Sequence, residues 1–484
     1  MATKYDLKVQ RRREAEAREK RQKAIAKGIG ILILVVIVVA IAMIPINSYI
    51  AKNSTYITVG DHAVTKVEFD YYYNMAKNDY VNTYGNYLAY MGLDITQDLS
   101  KQEYSEGVTW KDYFEERAVD SLKQNKALLD AAKAEGFTYD VTKDVETYKK
   151  TVQSAAKSAN VSVGDYYKQT YGKYASEKSL KTFVEEGYLA NAYYQEMSER
   201  KAPADAEIES YYKENSADYD VVDYHFTEVA ADIPTDENGS TANASEEEIK
   251  KAMEIAKANA QEAEKVIGEE GVVNVGKSRS SLLTRIGDWL FDDARVENDT
   301  TVIEDEDSHK YYVVQFDKRY LSDKKTASVR VITTMTATGE DILAEYEANG
   351  ANEDAFIALV EKYSDDTYSV NKGGLYKELT SDSMDSEVSA WIFDDRKPGD
   401  TVSINENGVT YVLYYIGQGR EEWKKSISDT LGNEAMNTYM DEITGAVEVS
   451  DPKGRLNFMK EKPEESVADD TVEEVTDTTE EVTE

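Results

Sequence analysis

An uncharged, apolar run of 19 residues near the N-terminus, GIGILILVVIVVAIAMIPI at residues 28–46, sets the first limit on the fold of this chain. As a helix, this run matches the thickness of the hydrocarbon core of a bilayer. Residues 1–27 before it carry ten Lys and Arg against four Asp and Glu. Such a basic flank stays on the cytoplasmic side of a membrane. The sequence therefore predicts a single-pass anchor at 28–50, with the N-terminus in the cytoplasm and the bulk of the chain extracytoplasmic.

A cleaved signal peptide is the alternative interpretation of this run. The apolar part of a signal peptide normally has about 7–15 residues and is followed by a cleavage site between small residues. The run here is longer, and no such site follows Ile46. We therefore expect an uncleaved anchor in the cell membrane.

Composition excludes several classes of function. The chain has no cysteine, which rules out disulfides, thiol chemistry and cysteine-ligated zinc. Its three histidines, His62, His225 and His309, are scattered, so we expect no metal site and no cofactor. The net charge of −37 argues against nucleic acid as a partner, because a phosphate backbone requires clustered Lys and Arg.

The region after the predicted anchor reads as a helical domain. Residues 55–65 have the pattern of two short strands joined by a turn at Gly60 and Asp61. A helix is predicted to begin at Thr65, with Glu68 completing a capping box. A second amphipathic helix is predicted from about Trp110 to Glu135, and further helical patterns extend to Arg200.

An internal repeat follows the helical region. The segment IGDWLFDD at 286–293 recurs as AWIFDD at 390–395, and the two tryptophans, Trp289 and Trp391, lie 102 positions apart. DTTV and YYVV in the first copy correspond to GDTV and YVLY in the second. The period is too long for a solenoid and predicts two tandem α/β units.

Three stretches carry a resemblance to extracytoplasmic foldases of the PrsA/SurA class. ITVGDHAVTKVEFDYYYN at 57–74 resembles the start of their helical chaperone domain, and AEIESYYKEN at 206–215 resembles the helix that enters their isomerase domain. FIALVEKYSDDTYSVNKGGL at 356–375 resembles the central part of a parvulin-type, or PpiC-like, peptidyl-prolyl isomerase domain. The resemblance implies a degenerate member of this class, whose partners are unfolded or secreted polypeptides.

The predicted fold class is a multidomain α+β protein: a transmembrane helix, a helical SurA-N-like chaperone domain, two tandem parvulin-like α/β units, a C-terminal helix and a disordered acidic tail. The helix over 421–447 carries an apolar face that we expect to pack back on the chaperone domain. The predicted segments, in the order basic segment, anchor, chaperone domain, degenerate parvulin-like unit, parvulin-like unit, final helix and tail, are 1–27, 28–50, 51–202, 203–322, 323–420, 421–450 and 451–484.

The resemblance also implies the site. Parvulins carry one histidine on the first strand and one on the last; here the first position falls on Val331 and the second on Thr410 or Tyr411. Asp366 falls where the family has Asp or Cys and is the candidate catalytic residue. Apolar side chains for a proline-sized pocket are the remaining candidates: Met384, Trp391 and Phe393. In the first unit His225 aligns with the first histidine and Tyr312 with the second, and we expect no catalysis there.

Three functions remain open at this stage. The first is a membrane-anchored chaperone, or foldase, with weak or lost prolyl isomerase activity. The second is an active parvulin-type isomerase that uses Asp366. The third is an envelope structural protein whose repeats are spacers; exposed apolar grooves in the helical domain would favour the first function over the third.

Overall fold

The computed structural model describes residues 27, 33–36, 43, 45–235, 244–366 and 368–460. The chain forms two compact units. The first contains residues up to Tyr139, Val152–Asn191 and the residues from Glu442 onward, and the second contains Asp140–Thr151 and Ala192–Asp441.

The first unit begins with the predicted hairpin and the two predicted helices. Strands β1 (Thr55–Val59) and β2 (His62–Thr65) are antiparallel and turn at Gly60. The Thr65 side chain accepts a hydrogen bond from the Glu68 amide at the start of helix α1 (Lys66–Tyr84), which confirms Thr65 as the cap. The predicted capping box does not form, because the Glu68 carboxylate binds the Lys126 ammonium group instead. The strands and helices that follow are β3 (Glu103–Ser105), β4 (Val108–Thr109), α2 (Trp110–Glu135), α3 (Thr142–Ser158), α4 (Val163–Tyr171) and α5 (Glu177–Arg200).

Helix α2 occupies the predicted residues because both of its ends are capped. Thr109 and Asp112 form a capping box at its start, and Gly136 ends it in the left-handed conformation. One face of α2 packs with the hairpin and α1 in the core of the first unit, whose buried residues are Ile57, Val59, Val64, Phe69, Ala118, Val119, Leu122 and Leu456.

The C-terminal segment completes this core and differs from the prediction. The two-residue strand Val449–Ser450 pairs with β1, and Leu456 is fully buried among the hairpin residues. The Asn457 amide group donates to the Asp112 carboxylate, and the Arg455 guanidinium donates to the carbonyl of Tyr56. Residues 451–460, which the sequence assigned to a disordered tail, are therefore part of the first unit. The remainder of the predicted tail, 461–484, lies outside the described residues.

The second compact unit contains both of the predicted α/β units, each with one four-stranded antiparallel sheet, and the two sheets have the same strand order. In each, the first and last strands in the chain are central, as the orders β6-β5-β8-β7 and β10-β9-β12-β11 show. The helices and strands of this part are α6 (Asp205–Glu214), α7 (Ser216–Tyr219), β5 (Asp220–Ala230), α8 (Glu246–Glu264), α9 (Ile267–Glu270), β6 (Val272–Ser278), α10 (Thr284–Leu290), β7 (Thr300–Asp305), β8 (Lys310–Leu321), β9 (Lys325–Thr334), α11 (Gly339–Ala348), α12 (Glu353–Tyr363), β10 (Leu375–Leu379), α13 (Ser386–Ile392), β11 (Thr401–Glu406), β12 (Val409–Glu421) and α14 (Glu422–Gly445).

The repeat extends to backbone geometry. Phe291 and Phe393 end α10 and α13 with the same dihedral angles, φ −97° and ψ 7°. In the first sheet the Phe316 amide donates to the carbonyl of Asp299, and in the second the Tyr415 amide donates to the carbonyl of Asp400. The mixed α+β architecture predicted from the sequence is confirmed; the numerical domain boundaries stay predictions.

Within the second unit, the described contacts of α14 include α6 and the end of α5. The Trp423 ring lies 5.0 Å from the Tyr212 ring, and the hydroxyl groups of Tyr193 and Tyr439 are 3.2 Å apart. Packing of the whole helix on a chaperone domain stays a prediction.

The predicted anchor cannot be followed in the fold. Most of residues 28–46 lie outside the described residues. Among the residues that are described, no helix has the length and apolar character needed to cross a bilayer.

Candidate functional site

The candidate site lies on one face of the sheet β10-β9-β12-β11. On the two central strands, Val331 of β9 is paired with Leu413 of β12, and both are buried. They belong to one apolar cluster with Val329, Tyr415 and Ile392. The position at which parvulins carry their first histidine is therefore filled by a buried aliphatic side chain that has no hydrogen-bonding group.

Of the two residues that the sequence aligned with the second histidine, Tyr411 is the one on the same face of the sheet as Val331 and Leu413. Side chains alternate between the two faces of a strand, so Tyr411 shares a face with Leu413. Thr410 lies on the opposite face, where its methyl group faces Gly339 at the start of α11. The Tyr411 hydroxyl donates a hydrogen bond of 2.9 Å to the Asp385 carboxylate.

Asp366 is surrounded by hydrogen-bond donors in the loop after α12. Its carboxylate accepts hydrogen bonds from the Ser369 hydroxyl, from the Tyr376 hydroxyl at 2.8 Å and from the Tyr368 amide at 2.9 Å. Partial burial on its own would raise the pKa of Asp366, but the hydrogen bonds from Ser369, Tyr376 and the backbone outweigh it and lower the pKa. Asp366 is therefore an anion at neutral pH.

Tyr376 joins Asp366 to the apolar part of the site. Its hydroxyl binds Asp366, and its ring packs on the apolar cluster around Val331 and Leu413. Burial, together with the hydrogen bond to Asp366, raises the pKa of Tyr376 to about 12. Sequence reasoning missed Tyr376, although it follows directly after the Gly373-Gly374-Leu375 motif.

The three predicted pocket residues, Met384, Trp391 and Phe393, pack at the margin of the same cluster. Each is half-buried, so the three leave part of the apolar surface of this cluster exposed, which is called the apolar floor below. Arg396 holds Trp391 in place, because its guanidinium lies 5.1 Å from the ring centre and donates to the Trp391 carbonyl. This leaves Met384 and Phe393 as the predicted side chains that no such clamp holds.

The contact between Arg396 and the Trp391 ring recurs in the first α/β unit, where Arg295 lies 4.9 Å from the centre of the Trp289 ring. The contact between arginine and tryptophan thus belongs to both α/β units. We therefore attribute Trp391 to the fold of the unit.

The two adjacent glycines of the motif are required by the backbone. Both have positive φ, +62° at Gly373 and +71° at Gly374. A Cβ atom on Gly374 would lie 2.5 Å from the carbonyl oxygen of Val331, because the Val331 amide donates to the Gly374 carbonyl. The motif thus fixes the Asp366 loop against β9.

The first α/β unit, which has the sheet β6-β5-β8-β7, lacks the Asp366 loop, and one prediction about it is wrong. Strand pairing places Phe226 opposite Val314, which is the position that Val331 holds opposite Leu413. His225 is one residue earlier and corresponds to Arg330, so it is not at the first histidine position. The His225 imidazole binds the Asp317 carboxylate at 3.0 Å.

The equivalent of Tyr411 in the first α/β unit is Tyr312, because Tyr312 pairs with Ile303 as Tyr411 pairs with Ile404. The repeat in the sequence matches Tyr312 with Val412, which is wrong by one residue.

Tyr312 donates to the buried Asp305 carboxylate at 2.8 Å. Rings fill the remainder of this face, with Phe226 and Tyr312 centred 5.8 Å apart. On this face of the first α/β unit, the rings of Phe226 and Tyr312 therefore occupy the strand positions that Val331 and Tyr411 hold in the second.

The described parts of the chain contain no group of three His, Asp or Glu side chains arranged around a common point for a metal ion. The groups that the second α/β unit offers for chemistry are an apolar floor, an ionised carboxylate and three hydroxyl groups from tyrosine or serine. Each of those hydroxyl groups, on Ser369, Tyr376 and Tyr411, donates to a carboxylate of the protein.

A comparison with protein families identifies the family of the second α/β unit. Residues 325–416 match the family described as Rotamase: PPIC-type PPIASE domain. No curated protein matches the chain.

Solved structures similar to the chain include PrsA from Bacillus subtilis, with 12% identity over 74% of this chain and 93% of that one and a TM-score of 0.25. PrsA from Bacillus anthracis has 16% identity over 42% of this chain and 88% of that one, with a TM-score of 0.19. The foldase protein PrsA from Streptococcus pneumoniae has 11% identity over 70% and 90%, with a TM-score of 0.18. The family match confirms the parvulin-type resemblance noted in the sequence: this chain carries a PPIC-type peptidyl-prolyl isomerase domain at residues 325–416.

Proposed function

We propose that this protein is a membrane-anchored, extracytoplasmic foldase that binds proline-containing segments of unfolded polypeptides and isomerises them weakly or not at all. The apolar run at 28–46 and its basic flank support the anchor and the orientation. The PPIC-type domain supports a polypeptide as the partner.

The observation that carries this proposal is that the hydroxyl groups of the site already donate hydrogen bonds to carboxylates of the protein. Isomerisation requires rotation about an amide bond with a barrier of about 18–20 kcal/mol. Polar groups aimed at the twisted amide lower such a barrier in a site that excludes water. Here Ser369, Tyr376 and Tyr411 already donate to carboxylates, and Val331 has nothing to donate.

Binding survives this loss because it depends on different groups. Met384 and Phe393 keep an open apolar surface on which a proline ring can rest. The ionised Asp366 beside it can accept a hydrogen bond from a backbone amide of the bound segment. Such a site holds a proline segment without speeding its rotation.

The first compact unit, which contains helices α1 and α2, offers a second surface of the type that a chaperone needs. An open cleft of about 430 Å³ between α1 and α2 is lined by Tyr80, Tyr84 and Tyr113, together with Asp79 and Asp120. Tyr87 and Tyr90, which follow α1, are 66% and 90% exposed. Exposed rings of this kind suit contact with unfolded chains. They favour a chaperone over an envelope protein whose units are only spacers.

Anisotropy of a labelled proline-containing peptide, compared with the same peptide carrying alanine instead of proline, tests the binding site. We expect Met384→Ala to weaken binding of the proline peptide about tenfold, because it removes part of the apolar floor. The matched control is Met335→Ala, which truncates an exposed methionine of the same unit. Equal binding by the two variants, or no preference for proline, would contradict the proposal.

A further inference from the structure

Strand β6 forms an unpaired and unusually apolar edge of the first sheet. It lies at the end of the order β6-β5-β8-β7, and within the described ranges no strand pairs with its outer side. Three of its seven residues are valines that remain exposed, Val272 at 65%, Val273 at 59% and Val275 at 63%. An apolar edge strand of this kind is a template for another extended chain.

The equivalent edge of the second sheet is protected against such pairing. Strand β10 has Lys377 where β6 has Val275. The next residue has a positive φ in both strands, 49° at Glu378 and 62° at Gly276, so the backbone irregularity is common to the two edges. The Glu378 carboxylate is also paired with Arg420. Charged side chains on an edge strand, lysine above all, are a usual means of blocking it. The exposed valines of β6 are therefore a difference between two copies of one fold.

Charge around β6 bears on what can bind there. Residues 271–287 contain no Asp or Glu, although the whole chain has 93. Their three bases are Lys277, Arg279 and Arg285; Arg279 is paired with Asp288 and Arg285 with Asp305. Within the described part of the chain Lys277 has no ion pair, so an acidic group on the bound strand would meet a free cation. A second copy of the chain would bring a further −37 and repel the first.

We propose that the outer edge of β6 binds an extended, β-branched segment of an unfolded polypeptide, neutral or acidic in charge, as an added strand. Backbone hydrogen bonds to β6 supply the affinity, and Val273 and Val275 contact alternate side chains of the segment. This proposal rests on the proposed polypeptide-binding function, and it assigns to the first α/β unit a site that does not require proline.

The test uses the full chain in detergent and a fluorescent peptide as long as β6, with alternating Thr and Val, one Glu and no proline. We expect Val273→Lys with Val275→Lys to weaken binding of this peptide about tenfold, because the charges block the edge and remove two cross-strand contacts. Both side chains are exposed, so the fold tolerates the change. Val296→Lys, at a valine of the same unit that is 63% exposed and lies outside the strands, is the matched control and leaves binding unchanged.

A second peptide separates strand addition from simple apolar contact. It has the same sequence but is N-methylated at successive central residues, so that both of its edges lose backbone donors. The proposal requires this peptide to bind much more weakly, and equal binding overturns it. Unchanged binding of the first peptide by the double lysine variant also overturns it, as does self-association of the protein that the double variant abolishes. The proline peptide still binds the double variant, so failure here is distinct from failure of the site at Asp366.

Discussion

At the scale of the residue, the hydroxyl of Tyr376 keeps Asp366 ionised. Tyr376→Phe removes this donor, and we expect the pKa of Asp366 to rise and the free energy of unfolding to fall by about 1 kcal/mol at neutral pH. A carboxyl whose pKa is lowered by folding stabilises the protein above its unfolded pKa and loses that effect as the pH falls through the folded value. The cost of Tyr376→Phe should therefore shrink below about pH 4.

Urea unfolding at neutral and acidic pH measures this prediction. Tyr368→Phe is the control, because Tyr368 binds Asp366 through its backbone amide and its side chain is 70% exposed. A cost of Tyr376→Phe that does not change with pH would contradict the assigned role.

A second residue-scale prediction concerns the buried Lys126. All three residues of this group lie in the first compact unit: the Lys126 ammonium group is 2.8 Å from the Glu68 carboxylate and 2.7 Å from the Glu186 carboxylate. Lys126→Met leaves a buried carboxylate without its cation and should cost about 3–5 kcal/mol of unfolding free energy. Lys133→Met, at an exposed position of the same helix, should cost less than about 0.5 kcal/mol.

The pH dependence of the Lys126→Met variant follows from Glu68. Burial raises the pKa of Glu68 even with Lys126 present, so the folded state takes up protons as the pH falls. Removing Lys126 raises that pKa further. The variant should therefore regain stability relative to the wild type between about pH 7 and pH 5. Thermal unfolding at these two pH values shows it; an equal deficit at both would contradict proton uptake by Glu68 in the folded variant over this range.

Residue identities at the site were predictable only in part. Asp366 could be aligned with the family because the motif around Gly373 has a fixed spacing, whereas Met384 and Phe393 were chosen only as large apolar side chains; the roles of all three stay predictions. Tyr376 was missed, because its partner is determined by how a loop folds. His225 was misplaced by one position, because a slip of one residue exchanges the two faces of a strand and pairing with β8 includes a bulge near Tyr224.

At the scale of the element, the Asp366 loop depends on Gly374. Gly374→Ala faces both an unfavourable positive φ and a contact of 2.5 Å with the Val331 carbonyl. Gly408→Ala is the matched control, since Gly408 has φ +81° and nothing within 4 Å of the new methyl group. We expect about 1 kcal/mol of destabilisation at Gly408 and about 3 kcal/mol or more at Gly374. Chemical denaturation of both variants measures this, and equal costs would mean that the contact has no consequence.

The C-terminal segment gives a second element-scale prediction. Leu456 is fully buried in the core of the first unit, so Leu456→Ala should cost about 2–5 kcal/mol. Hydrogen exchange should show the loss in β1 and α1, with Met459→Ala, at a side chain that is 39% exposed, as the control. Unchanged protection of β1 would contradict this packing.

Local signals explain which elements were predictable. Helix α2 was predicted to its terminal residues because Thr109, Asp112 and Gly136 are local capping signals. The strand Val449–Ser450 was not, because its partner β1 lies almost four hundred residues earlier in the chain. Composition favoured a tail there, and burial of Leu456 decided otherwise.

At the scale of the whole molecule, two copies of one sheet topology have diverged in opposite ways. The second α/β unit has an ionised carboxylate and a partly exposed apolar floor, whereas the first has two rings at the corresponding strand positions and exposes the valines of the β6 edge. The repeat was predictable from Trp289 and Trp391, whereas this division depends on strand register and exposure. It is the basis for proposing a foldase that holds chains at more than one point.

Exchange NMR of a peptide with one X–Pro bond, recorded with the protein in excess, tests the central claim most directly because it reports binding and isomerisation together. The account predicts broadened and shifted peptide signals, with cis/trans exchange remaining close to the uncatalysed timescale of about tens to hundreds of seconds. Asp366→Asn should weaken the binding, and Asp395→Asn, at an exposed carboxylate of the same unit, should not. Fast exchange that Asp366→Asn abolishes would contradict the account and establish an active isomerase.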